Sequence, residues 1–112
     1  MLFDGTTLPP MPTSSTDYLT LTSGQTTAPA GKWCGIKNGI TTAHCSRTHA
    51  SSNITVNLVT LKNNGTLRRT YLTITNDNRW VTTSINTTDA IGVICYYDGS
   101  LGSGNQIHIY FD

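Results

Sequence analysis

Few side chains in this sequence could carry chemistry. His44, Asp89 and Ser103 are the ingredients of an acyl-transfer site. An imidazole would take the hydroxyl proton, a carboxylate would hold its tautomer, and the hydroxyl flanked by Gly102 and Gly104 would attack. His44, Cys45 and His49, with Cys34 nearby in sequence, offer imidazole and thiolate to zinc, but only as one H-x4-H half-site. Arg68-Arg69 places two guanidinium groups where a phosphate or carboxylate could be gripped. Tyr96, Tyr97 and Tyr110 are rings on which a sugar could stack. Glu is absent, so carbohydrate cleavage would need two aspartates, and no such pair stands out.

The run Ile40-Thr41-Thr42-Ala43-His44-Cys45 resembles the T-A-x-H-C segment around the catalytic His of chymotrypsin-like serine proteases. Thr88-Asp89-Ala90-Ile91 is similar to that family's Asp strand. The resemblance implies a triad of His44, Asp89 and Ser103, with Cys34 paired to Cys45 as cysteines near that His are. The protease fold needs two barrels with the nucleophile in the second, yet only 23 residues follow Asp89. Gly102 also stands where an Asp should precede the nucleophile. Without its structural context the motif carries little. His44 therefore reads as a polar loop residue and Asp89 as a turn or strand-start residue. The expectation is a chain that is not an enzyme, with no catalytic residue, no metal and no cofactor.

The frame that must position these groups is small. A chain of 112 residues supports one domain and one core. Charged residues are 12% of it, about half the usual share, while Thr, Asn, Ser and Gly abound. The abundant residues favour strands and turns over helices. A net charge of +1 gives no electrostatic case for nucleic acid or an anionic membrane, and no run approaches the roughly 18 apolar residues of a span. The N-terminus lacks a basic region followed by an apolar core, so reduced thiols in a cytosol are expected. Cys34 and Cys45 could pair, leaving Cys95 over, but sequence does not fix that geometry.

Residues 1–16 read as an extended arm, with Pro9, Pro10 and Pro12 among Ser and Thr. It is either a frayed terminus or an attachment segment, with Leu2, Phe3, Leu8, Pro9 and Pro10 as its contact residues. From Asp17 the chain alternates short strands with turns. Asn38-Gly39 is a hairpin signal between strands over 32–36 and 40–43. Residues 44–53 read as a polar loop, and the phase shift from Leu58 to Val59 suggests a bulge or a bend. Asn63-Asn64-Gly65 predicts a tight turn, and residues 98–105 a flexible Gly-rich loop. The spacing predicts an all-β fold over 17–112: a single antiparallel β-sandwich of about eight strands, jelly-roll or tumour-necrosis-factor-like. Residues 90–97 look apolar on both faces, which asks for a second cover that a neighbouring subunit could supply.

The stretch Ser23-Gly24-Gln25-Thr26-Thr27-Ala28-Pro29-Ala30-Gly31-Lys32-Trp33, between two short strands, makes a corner anchored by an aromatic. With the closing Ile107-His108-Ile109-Tyr110-Phe111 strand, it resembles small β-sandwich domains of tailed-phage virion proteins: tail fibres, head fibres and decoration proteins. The resemblance implies a structural or adhesive virion component, made in a host cytoplasm, commonly a homotrimer. Its arm would attach to other virion proteins, and its outer loops would face the host surface or a glycan on it. His44, His49, Arg68, Arg69, Tyr96 and Tyr97 are the expected surface contacts. A carbohydrate-binding module is the alternative function, and a minimal serine hydrolase the remaining one.

Overall fold

In a computed structural model, residues 8–48, 52–75 and 78–112 are described. They form eight strands: β1 (Leu19–Leu21), β2 (Lys32–Cys34), β3 (Ile40–Arg47), β4 (Ile54–Lys62), β5 (Leu67–Ile74), β6 (Trp80–Asn86), β7 (Ala90–Asp98) and β8 (Ile107–Phe111). Two four-stranded sheets result, in the orders β1-β8-β3-β6 and β2-β7-β4-β5, with every pairing antiparallel. First pairs with last, second with seventh, third with sixth and fourth with fifth. That nesting is a jelly roll, as expected.

The core lies between the sheets. Leu21, Ala43, Cys45, Ile85, Ile107, Ile109 and Phe111 face Cys34, Ile54, Val56, Leu58, Ile74, Val93, Cys95 and Tyr97. Alternate residues of each strand supply them, because successive side chains point to opposite faces. Burying each large aliphatic or aromatic side chain contributes about 1.5–3 kcal/mol.

Several local expectations change. Asn38-Gly39 does not close a hairpin, because β2 pairs with β7 in one sheet and β3 with β6 and β8 in the other. It is a crossover: Gly39 has φ of 121°, its carbonyl accepts the Thr87 N–H, and Asn38 Oδ1 accepts the Asp89 N–H at 2.8 Å. Residues 44–47 are not loop but the second half of β3. No register shift occurs at Leu58/Val59; the irregularity lies between Leu61 and Lys62, against β7. The phase change arises instead because β4 is buried on both faces, Val59 and Leu61 on the outside and Leu58 within. The Asn63-Asn64-Gly65 turn does join paired strands, with Gly65 at φ of 86° and Thr66 N–H donating to Asn64 Oδ1.

Part of the second cover comes from within the chain. On the outer side of β7, a Cβ at Gly92 would run into Leu8 and stand 3.7 Å from Trp33. Gly35 N–H donates to the Pro9 carbonyl at 2.8 Å and Phe111 N–H to the Pro12 carbonyl at 2.9 Å. The described part of the arm thus lies against its own domain, along both sheets. Leu2 and Phe3 lie outside the described residues, as does His49.

Candidate functional site

Strand alternation and register assemble the site on the outer face of the β2-β7-β4-β5 sheet. Asn57 of β4 pairs with Tyr96 of β7 on one side and Tyr71 of β5 on the other. Each neighbouring strand is about 4.8 Å away, so the two ring-bearing positions stand roughly 10 Å apart across Asn57. Two residues along β4 in one direction, Arg69 of β5 lies opposite Val59; two residues in the other, Asp98 at the end of β7 lies opposite Thr55. Leu8 and Trp33 occupy the Gly92 end of this face. The other end, from Tyr96 to Tyr71, is the open half.

A polar chain runs through that open half. Arg69 Nε donates to Asn57 Oδ1 at 2.6 Å, and Asn57 Nδ2 donates to Asp98 Oδ2 at 3.0 Å. Asn57 is fully buried, whereas its two charged partners are exposed. The Arg69 guanidinium carbon stands 4.7 Å from the centre of the Tyr71 ring, within range of a cation–π contact. Tyr71 is 61% exposed and Tyr96 half-buried. The Tyr96 position is set by a close approach: a Cβ on Gly31 would collide with the Cys95 carbonyl and stand 3.1 Å from the Tyr96 Cβ. Gly31 closes the 3-10 turn Ala28–Ala30, so the corner seats the chain tightly against β7.

This arrangement offers aromatic rings beside fixed donors and acceptors on the outer face of the sheet. The other residues singled out in the sequence are dispersed. His44 lies on the outer face of the opposite sheet, stacked on Tyr110 with ring centres 4.3 Å apart, and its Nε2 meets Asp112 Oδ1 at 2.9 Å. Its carboxylate partner is therefore Asp112, not Asp89. Asp89 sits in the turn that contacts Asn38, before β3, with a strained φ of 63°. Ser103 belongs to the loop whose far end, Gln106, bonds Thr48, after β3. An eight-residue strand of about 26 Å separates those two ends. The hydrolase constellation is not assembled.

The zinc arrangement fails for a related reason. His44 faces out and Cys45 faces the core, as adjacent strand residues must. No group of three or more metal-ligating side chains occurs among the described residues. Cys34, Cys45 and Cys95 are free and buried in the core. Burial pushes the thiols of Cys34 and Cys45 up to about 12 and raises that of Cys95 well above its ordinary value; the other two thiols add to the effect on Cys95.

Of the expected contacts, Arg69 and Tyr96 share the open face. Arg68 is exposed but points to the other side of β5. Tyr97 is not a surface residue: it is 1% exposed, its hydroxyl donates to the Thr22 carbonyl, and the Gly24 N–H donates to that hydroxyl. It ties β7 to the segment after β1. Sequence reasoning missed Asn57, Tyr71 and Asp98. The available signal was an Asn set between Val56 and Leu58 inside an apolar strand, where Asn is disfavoured without a specific partner.

No family model matches the chain, and no curated protein matches it. Among solved structures, the chain is similar to one titled "Family 16 Carbohydrate Binding Module-2". The identity is 16% and the TM-score 0.41, with 88% of this chain and 78% of that chain covered. A similarity this low assigns neither a function nor a ligand.

Proposed function

We propose that this chain is a non-catalytic glycan-binding jelly roll that uses the open half of its β2-β7-β4-β5 face. One observation carries the reading: Tyr96, Asn57 and Tyr71 share a register row, with Arg69 and Asp98 anchored to the central amide. Sugars present apolar C–H faces and a rim of hydroxyls, so rings flanking fixed polar groups suit them. The test is a glycan array followed by NMR titration of the labelled domain. Shifts clustered on Tyr71, Asn57 and Tyr96, lost in Tyr71→Ala and Tyr96→Ala variants with unchanged folding, are the expected result. Array silence, or shifts confined to the opposite sheet, would refute it.

A structural or adhesive virion component is the second reading, favoured by the corner at Gly31, where the resembling segment makes a tight turn against β7. Jelly rolls serve in both capsids and lectins, and an adhesin on a particle would combine the two roles. A homotrimer in light scattering, together with particle incorporation that depends on residues 1–16, supports it. A monomer that incorporates without that segment refutes it.

A further inference from the structure

The charges at the site are arranged in an unusual way. Arg69 and Asp98 are opposite in sign, share one bridging residue, and yet do not pair with each other. No carboxylate of the described residues lies within 4.0 Å of the Arg69 guanidinium. Asn57 stands between them, taking the Arg69 Nε with its oxygen and the Asp98 carboxylate with its amide nitrogen. Its complete burial fixes the amide, and the amide fixes both charges. Two contacts, the Nε bond and the Tyr71 ring, hold the guanidinium plane. They leave its Nη1/Nη2 fork without a hydrogen bond among the described residues. Asp98 likewise spends one oxygen on Asn57 and keeps Oδ1 as an acceptor.

From this geometry, and resting on the glycan reading of the same face, we propose that the site selects an acidic sugar of the hexuronic acid class. The Arg69 fork takes the sugar carboxylate end-on through Nη1 and Nη2, a bidentate geometry to which a planar guanidinium is matched. Asp98 accepts hydroxyls from the opposite edge of the same ring or its neighbour. An anion alone would gain little here, because Asp98 repels it. A neutral sugar alone would leave the fork unused. A uronic acid unit, with a carboxylate at one end of the ring and vicinal hydroxyls at the other, meets both demands. Tyr96 and Tyr71 then stack, from the same side, against successive units of an oligomer crossing the strands.

The test is calorimetric titration of the full chain with three oligosaccharides of equal length: an oligogalacturonate, its fully methyl-esterified form, and a sulfated neutral oligomer. Hydrogen bonds to a charged group predict about tenfold to a hundredfold tighter binding of the oligogalacturonate than of its ester. Arg69→Gln should erase that preference while ester binding persists. Arg69→Lys should retain only part of it, since a point charge cannot reproduce the fork. Equal affinity for acid and ester overturns the acidic-sugar assignment and leaves the glycan reading standing. Preference for the sulfated oligomer overturns the carboxylate assignment alone. Silence toward all three, with a silent glycan array, overturns both.

Discussion

Gly31→Ala isolates the contact that seats the corner against the site. Gly31 has φ of −76°, an ordinary value for alanine, so the backbone presents no obstacle. Space does: the new Cβ would strike the Cys95 carbonyl and press on the Cys95 carbonyl carbon at 3.2 Å and the Tyr96 Cβ at 3.1 Å. Both neighbours belong to a paired central strand and have little room to yield. Overpacking of this kind costs about 1–3 kcal/mol, and the lower chain entropy of alanine in the unfolded state offsets about 0.4–1 kcal/mol of it. The net loss is about 1–2 kcal/mol. With an unfolding entropy near 2.1 cal/mol/K per residue, that loss lowers the Tm by roughly 4–8 °C. Thermal melts by circular dichroism read it directly. Gly35→Ala is the control, because its Cβ would meet only the Pro9 carbonyl at 3.6 Å, an ordinary contact. The control should melt within about 2 °C of the parent or slightly above it. A Gly31→Ala protein as stable as its parent would refute the close approach of the corner to β7. So would a Gly35→Ala loss of equal size.

Three further outcomes follow from the same structure. Thr87 is fully buried and its hydroxyl lies 2.6 Å from the Lys37 carbonyl and 2.7 Å from that of Gly39, so Thr87→Val should cost about 1–3 kcal/mol in urea denaturation. Tyr97→Phe removes the hydroxyl that bridges to Thr22 and Gly24 and should cost about 1 kcal/mol by the same assay, with the sheet pairing intact by NMR. The third concerns pH. Folding raises the thiol values of Cys34 and Cys45 from 9.0 to about 12, so between those values the unfolded chain has lost protons that the folded chain keeps. Their contribution is intact below pH 9 and is lost as the pH rises toward 12, by up to about 1.4 kcal/mol per pH unit for each thiol. Denaturant midpoints of the reduced protein should fall over that window, and Cys34→Ala/Cys45→Ala should flatten the fall; parallel curves would contradict it.

The strands of β7 and β8 were legible because large apolar side chains alternate there, as in Val93, Cys95 and Tyr97 or Ile107, Ile109 and Phe111. The second half of β3 was not, because its inward positions are Ala43, Cys45 and Arg47 and its outward ones His44 and Ser46. Small and polar residues carry no hydrophobic period, although their burial alternates cleanly. The Asn38-Gly39 signal reported a local bend correctly, but whether the flanking strands pair depends on β7 and β6, many residues away. The site suffers from the same nonlocality. Arg69 and Tyr96 could be picked out as residue types, but the row joining Tyr96, Asn57 and Tyr71 exists only once β4 is registered between β5 and β7. Tyr96 and Tyr97 look alike in sequence, and only strand phase separates a surface ring from a core one.

The three core thiols also make the domain its own chemical clock. Cys34 sits on an edge strand, Cys95 on the strand beside it, and Cys45 in the facing sheet. In the closed sandwich none is accessible to an alkylating reagent. Each therefore becomes labelled only when its own part of the fold opens. Pulsed alkylation followed by peptide mass spectrometry would time the three openings separately in unmodified protein. Equal labelling rates would mean that the two sheets part in a single cooperative event. Earlier labelling of Cys34 would mean that β2 peels away first, and the corner that seats Tyr96 with it.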